Sequence, residues 1–138
     1  MKQSIFFVFL IAVIAYIYAN FSSDATASTP SAGTLTINSP GQYDQAIKDN
    51  GVVLVDFWAP WCGPCVKMKP VVAEISNEYE VTVLMVNVDD NPELSSQMNV
   101  SSIPLFLVIK DGKVVDRITG SAPKSKLTKY LKKKSDSA

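Results

Sequence analysis

Histidine is absent from this 138-residue chain, and cysteine occurs only twice. Those two shortages exclude a zinc site built by one copy, because four ligands are needed and a second pair would have to come from a partner chain. Net charge is missing as well. Basic and acidic residues number 13 each, and removing the first 33 residues takes away one of each sign, Lys2 and Asp24. Nothing in that balance points to nucleic acid. No internal repeat is detectable, and the length leaves room for one domain.

What the chain does hold is concentrated. Its two cysteines lie in Trp61-Cys62-Gly63-Pro64-Cys65, directly after an apolar run from Val52 to Ala59 that reads as a buried strand. A dithiol is thereby placed where a strand ends and a helix begins. Unpaired N–H groups and the positive end of the helix dipole stabilise a thiolate there and make it a usable nucleophile at neutral pH. With two residues between them, the cysteines share one face of the first turn and can close a small ring. Cys62, at the helix tip, is expected to attack, and Cys65, one turn inside, to resolve the mixed disulfide. Pro64 is tolerated in a turn that needs no donor at that position, and Gly63 keeps the approach to Cys62 open. A structural disulfide is the alternative, but a loop this short would remove little entropy from the unfolded chain.

The N-terminus carries a second signal. Lys2 precedes 15 unbroken apolar residues, Ile5 to Ala19, and a Ser, Thr, Ala and Pro stretch follows from Ser22 to Gly33. Residues 1–21 are expected to be a signal peptide or an N-terminal membrane anchor, and 22–33 a flexible linker. Fifteen residues is long for a signal core and short of the ~20 that span a bilayer. Ala25-Thr26-Ala27 offers a small-x-small cleavage site, so cleavage and retention both stand. With no other basic residue before Lys48, either outcome puts the remainder across the membrane from the cytoplasm. A buried core helix is disfavoured because the run is apolar on every side.

Along the rest of the chain, Thr34 to Ile37 reads as an edge strand, and Ser39-Pro40 starts a helix stopped at Asp49-Asn50-Gly51. Val52 to Val55 is apolar on both faces, as a central strand should be. Met68, Val71, Val72, Ile75 and Tyr79 recur at helical spacing, with Pro70 predicting a kink. Val81 to Val88 reads as another central strand, and Asn91-Pro92 opens a short helix ending near Met98. Asp111-Gly112 marks a hairpin between Leu105–Ile109 and Lys113–Ile118. A final helix from about Pro123 puts Leu127, Tyr130 and Leu131 on one face, its negative end complemented by Lys124, Lys126, Lys129 and Lys132 to Lys134. The order βαβαβαββα describes an α/β domain with a mixed sheet covered on both faces.

With Asp56, Trp58, the Trp61 to Cys65 motif, Pro70, Ile103-Pro104 and Gly120 in this order, residues 34–134 resemble the thioredoxin family, with 135–138 expected to be a disordered tail. The resemblance implies the thioredoxin fold and a thiol–disulfide oxidoreductase, in the reducing direction, that needs no metal or organic cofactor. It also implies disulfide-bearing protein substrates and a monomeric enzyme; the N-terminal segment adds the expectation that it is exported, periplasmic or tethered to the inner membrane, where resemblance to exported members implies a membrane electron donor. Asp56 interrupts an apolar strand, so burial should raise its pKa, and the family gives the matching aspartate the role of taking the Cys65 proton. An acid on the solvent side of the strand is the plain alternative. By resemblance, Ile103–Pro104 is a cis bond beside the dithiol with the Ile103 backbone pairing to substrate, while Trp61, Gly120 and Ser121 complete the docking surface with Gly63 and Pro64. Other readings are a disulfide donor, a specialist for cytochrome c maturation, or a binding module independent of its cysteines. Two positions depart from the family pattern. Met85 stands where a lysine is often found beside the aspartate, and Leu105 where a threonine commonly follows the proline.

Overall fold

The computed structural model describes residues 8–16 and 33–134. Residues 8–16 are helical (α1) and expose Val8, Phe9, Leu10, Ile11, Val13 and Ile14. No helix among the described residues is long and apolar enough to cross a membrane. The ends of the apolar run, nearly all of the expected linker and the expected C-terminal tail lie outside the described residues.

Residues 33–134 build one five-stranded sheet in the order β1-β3-β2-β4-β5. Its strands are β1 (Thr34–Ile37), β2 (Val52–Trp58), β3 (Thr82–Asn87), β4 (Leu105–Lys110) and β5 (Lys113–Thr119). The first three are parallel, whereas β4 is antiparallel to both β2 and β5. Side chains alternate along a strand, so β2 feeds two cores at once. Val53, Val55 and Phe57 pack under α2 (Pro40–Asp49) and α4 (Pro92–Gln97) with Tyr43, Ala46 and Leu94. Leu54 faces the other way, toward Met68, Val72 and Ile75 of α3 (Gly63–Glu78) and Leu127 of α5 (Lys124–Leu127). Burial on both faces is why this strand reads as a continuous apolar run.

The punctuation is chemical. Ser39 caps α2 by accepting from the Gln42 N–H, and Asn50 ends it, donating to the Ala46 carbonyl at 2.7 Å while accepting from Thr82 Oγ1. Asp111 and Gly112 both adopt positive φ, 51° and 74°, as the tight hairpin between β4 and β5 requires. Pro70 lies inside α3, which continues through it to Glu78.

The last helix is shorter than expected. α5 is a single turn, and Thr128 Oγ1 bonds back to the Lys124 carbonyl at 3.0 Å. Leu127 is buried and Leu131 half-buried against the same core, but Tyr130 is exposed. Beyond Leu131 the lysine run offers nothing to bury, so the chain lies against the end of α3 instead. Glu80 N–H donates to the Lys132 carbonyl and Tyr79 forms a bridge with Lys133. Among the described residues, the one ammonium of this run bonded to a helix-end carbonyl is that of Lys134, whose Nζ donates to the Ser76 carbonyl of α3 at 3.2 Å.

Candidate active site

β2 delivers the dithiol to the carboxyl end of the sheet. After Trp58 the chain turns, with Cys62 N–H bonded to the Ala59 carbonyl at 3.1 Å, and α3 begins at Gly63. Cys62 is the residue capping that helix. Its Sγ accepts the Cys65 N–H at 3.2 Å, so one of the orphan donors of the first turn points at the sulfur. The two cysteines are joined as a disulfide with Cα atoms 5.2 Å apart. Cys62 keeps 6% of its surface exposed and Cys65 only 1%. Both pack with Ala59 against Trp58, Val88 and Ile103.

Around this pair the structure gathers the other expected residues. Gly63 and Pro64 are exposed on the first turn of α3, and a Cβ at Gly63 would meet nothing within 4 Å. Packing does not demand glycine there; open access to Cys62 is what it preserves. The Ile103–Pro104 bond is cis, with Pro104 buried at the start of β4 and Ile103 half-buried against the cysteines. Gly120 donates its N–H to the Pro104 carbonyl at 2.8 Å from a φ of 84°. A side chain would be strained at that φ, and the bond ties the end of β5 to the proline loop. Trp61 is 68% exposed beside the dithiol. Together with Val88, Ser95, Val100, Ser102 and Ile103 it lines a groove of about 390 Å³.

Asp56 is 1% exposed, and neither carboxyl oxygen has a hydrogen-bond partner within the protein. The solvent-side alternative is thus excluded. Its register partners are Met85 on β3 and Phe106 on β4, so the strand position opposite carries no charge. Burial pushes its pKa from 3.8 up to about 7, against the opposing field of Lys69.

Two residues near the site escaped the sequence reading. Asp89 accepts the Trp61 indole N–H at 2.8 Å and holds the exposed ring in place. Lys69 sets its Nζ 3.8 Å from the centroid of the Trp58 ring. The signal for Lys69 was its spacing, four residues after Cys65 on α3; Asp89, 28 residues from Trp61, had none. Among the described residues no three potential metal-ligating His, Cys, Asp or Glu side chains gather.

The family model described as thioredoxin matches residues 34–133. Thioredoxin 1 of Nostoc sp. is 47% identical over 94 residues, covering 66% of this chain and 88% of that protein. A thioredoxin of Synechocystis sp. is 51% identical over 83 residues, covering 59% and 78%. Among solved structures, a mutant thioredoxin from Halobacterium salinarum superposes with a TM-score of 0.70 at 29% identity, over 76% of this chain and 96% of the other. Plasmodium falciparum thioredoxin gives a TM-score of 0.66 at 35% identity, over 69% and 97%.

Proposed function

The chain belongs to the thioredoxin family, and from that premise we propose that it reduces protein disulfides outside the cytoplasm, carried there by its N-terminal segment. The observation that carries the chemistry is the sulfur of Cys62 capping α3, with Cys65 buried one turn behind it. In the reduced protein the Cys62 thiolate attacks a substrate disulfide, forming a mixed disulfide and releasing one substrate thiolate. Cys65 then gives its proton to Asp56 and attacks Cys62 Sγ. The bond between Cys62 and the substrate breaks, and the second substrate sulfur leaves with its electron pair and takes up a proton. The protein ends as the Cys62–Cys65 disulfide and the substrate as a dithiol, so two electrons pass from one to the other.

Substrate chain would lie in the groove between Trp61 and Ile103, pairing with the Ile103 backbone next to Pro104. Gly63 and Pro64 follow Cys62 on the exposed first turn of α3, and Gly120 is bonded to Pro104, so these residues would meet substrate at the dithiol itself. For export, the support is Lys2 followed by the Ile5 to Ala19 run, and the exposed apolar face of α1. A compartment without soluble reductant then needs a membrane electron donor to regenerate the dithiol.

Cys62→Ser should abolish reduction of insulin disulfides, while Cys65→Ser should retain a single attack and accumulate mixed disulfides. Faster alkylation of Cys65 than of Cys62 in the reduced chain would reverse the roles. A phosphatase reporter fused after residue 33 tests export, and an inactive fusion in a host whose other exported fusions are active would remove that part of the reading.

A further inference from the structure

Asp56 lies in an apolar slot whose charges can be counted. Leu54 and Trp58 share its face of β2, Met85 and Phe106 stand opposite it on β3 and β4, and Leu127 of α5 belongs to the same core. β1 contributes only hydroxyls nearby, from Thr34 and Thr36. The covering helix α3 presents buried Cys65, Met68 and Val72, with the exposed Lys69 at the rim over Trp58. Among the described residues, Lys69 is thus the one cation on this side of the sheet whose field acts on the carboxyl group.

The placement of Lys69 is specific. Its Nζ sits over the Trp58 ring at 3.8 Å, two residues along β2 from Asp56. Lys69, Trp58 and Met85 line one open surface pocket of about 280 Å³ together with Thr34 and Thr36. No carboxylate among the described residues pairs with this ammonium, since both ion pairs in the domain belong to Lys124. An aromatic face attracts a cation without neutralising it, so the charge stays available to its surroundings.

We propose that Lys69, held over Trp58, is a positioning residue for the resolving step, supplying from α3 the positive field that Met85 does not supply from β3, and thereby keeping Asp56 able to accept the Cys65 proton. The inference rests on the reductase chemistry proposed for Cys62 and Cys65. Its logic is that burial alone favours the neutral acid, and a neutral acid cannot take a proton. A cation nearby restores part of the ionised form. In the disulfide form burial pushes the carboxyl up to about 7, and Lys69 opposes that rise. Removing the charge moves the titration higher and leaves less base.

The test compares Lys69→Gln and Lys69→Arg with wild type in the full chain, alone and combined with Asp56→Asn. NMR follows the Asp56 carboxyl in the reduced protein. Stopped-flow reaction with dithiobis-nitrobenzoate follows the chemistry, its second equivalent of thionitrobenzoate reporting the Cys65 attack. The expected result is an upward shift of the Asp56 titration in Lys69→Gln and a slower second release at pH 7, with the deficit closing as pH rises. Lys69→Arg should restore both. In the Asp56→Asn background Lys69→Gln should change nothing further. An unmoved titration, or a slowing as large without Asp56 as with it, would overturn the proposal. If wild type fails to reduce insulin while the titration still shifts, the field of Lys69 stands and the reductase reading falls.

Discussion

Replacing Asp56 by asparagine should convert a pH-sensitive domain into one that is far less so. The aspartate is 1% exposed, without a hydrogen-bond partner in the protein, and its folded-state pKa is raised from 3.8 to about 7 chiefly by burial. At about 1.4 kcal/mol per tenfold change in proton affinity, that gap corresponds to on the order of 4 kcal/mol. The sign follows from which state holds the proton more tightly. Below the unfolded-state value both states are protonated and the folded domain has its full stability. Between 3.8 and about 7 the unfolded chain ionises while the folded one does not, so stability drains away as pH rises and levels off above the folded value.

Asparagine has nearly the same shape and cannot ionise. Its buried amide costs something at every pH, so the informative quantity is the change in the difference between variant and wild type. From pH 4 to pH 8 that difference should swing in favour of Asp56→Asn by about 3–4 kcal/mol. With urea slopes of about 1–3 kcal/mol per molar, the relative midpoints should move by more than ~1 M. Equilibrium urea unfolding of the oxidised proteins is the assay, since the disulfide keeps both thiols from titrating. A difference that stays flat within about 0.5 kcal/mol across this range would refute the claim that Asp56 is buried and resists ionisation.

Asp89→Ala should free the Trp61 indole, lowering the anisotropy of its emission and raising KM for protein disulfides more than it lowers kcat; unchanged anisotropy would show that the 2.8 Å bond does not hold the ring. Leu127 is the one buried side chain of α5, so Leu127→Ala should cost about 2–5 kcal/mol in urea unfolding. Lys124 contacts Glu74 and Glu78 at 2.6 and 2.7 Å, but both acids are exposed, so Lys124→Ala should barely move the midpoint and the change should vanish in high salt.

The element order was legible because its signals are local. Strands β2 and β3, covered on both faces, leave continuous apolar runs, and Asp111-Gly112 can hardly serve any other turn. The length of α5 was not legible. Leu127 and Leu131 have helical spacing, yet after Thr128, whose hydroxyl and N–H both bond the Lys124 carbonyl, the chain leaves the helix and Lys134 bonds the end of α3, a contact between segments 58 residues apart. Lys69 and Asp89 were missed for the same reason. Each acquires its role from a ring on another segment: the spacing of Lys69 after Cys65 put it near the site but gave no sign of the Trp58 ring, and Asp89 had no local signal at all. The cis bond came only through resemblance, since most X-Pro bonds are trans.

The positions where the chain breaks its own local rules converge on one end of the sheet. A carboxyl group interrupts the central strand β2, a proline immediately precedes β4, a positive-φ glycine follows β5, and a sulfur caps α3 where an oxygen is the usual choice. Each is unfavourable or unusual alone, and each meets the dithiol or one of its neighbours: Asp56 under α3, Pro104 beside Ile103, Gly120 bonded to Pro104, Cys62 joined to Cys65. At Gly120 packing is not the reason, because a Cβ there would meet nothing within 4 Å and only the positive φ asks for glycine. Their common account is access to a sulfur and control of a proton. It extends to one of the two places where this chain parts from the family pattern: with methionine opposite Asp56, the controlling charge has to come from a helix, and Lys69 is the side chain placed to supply it.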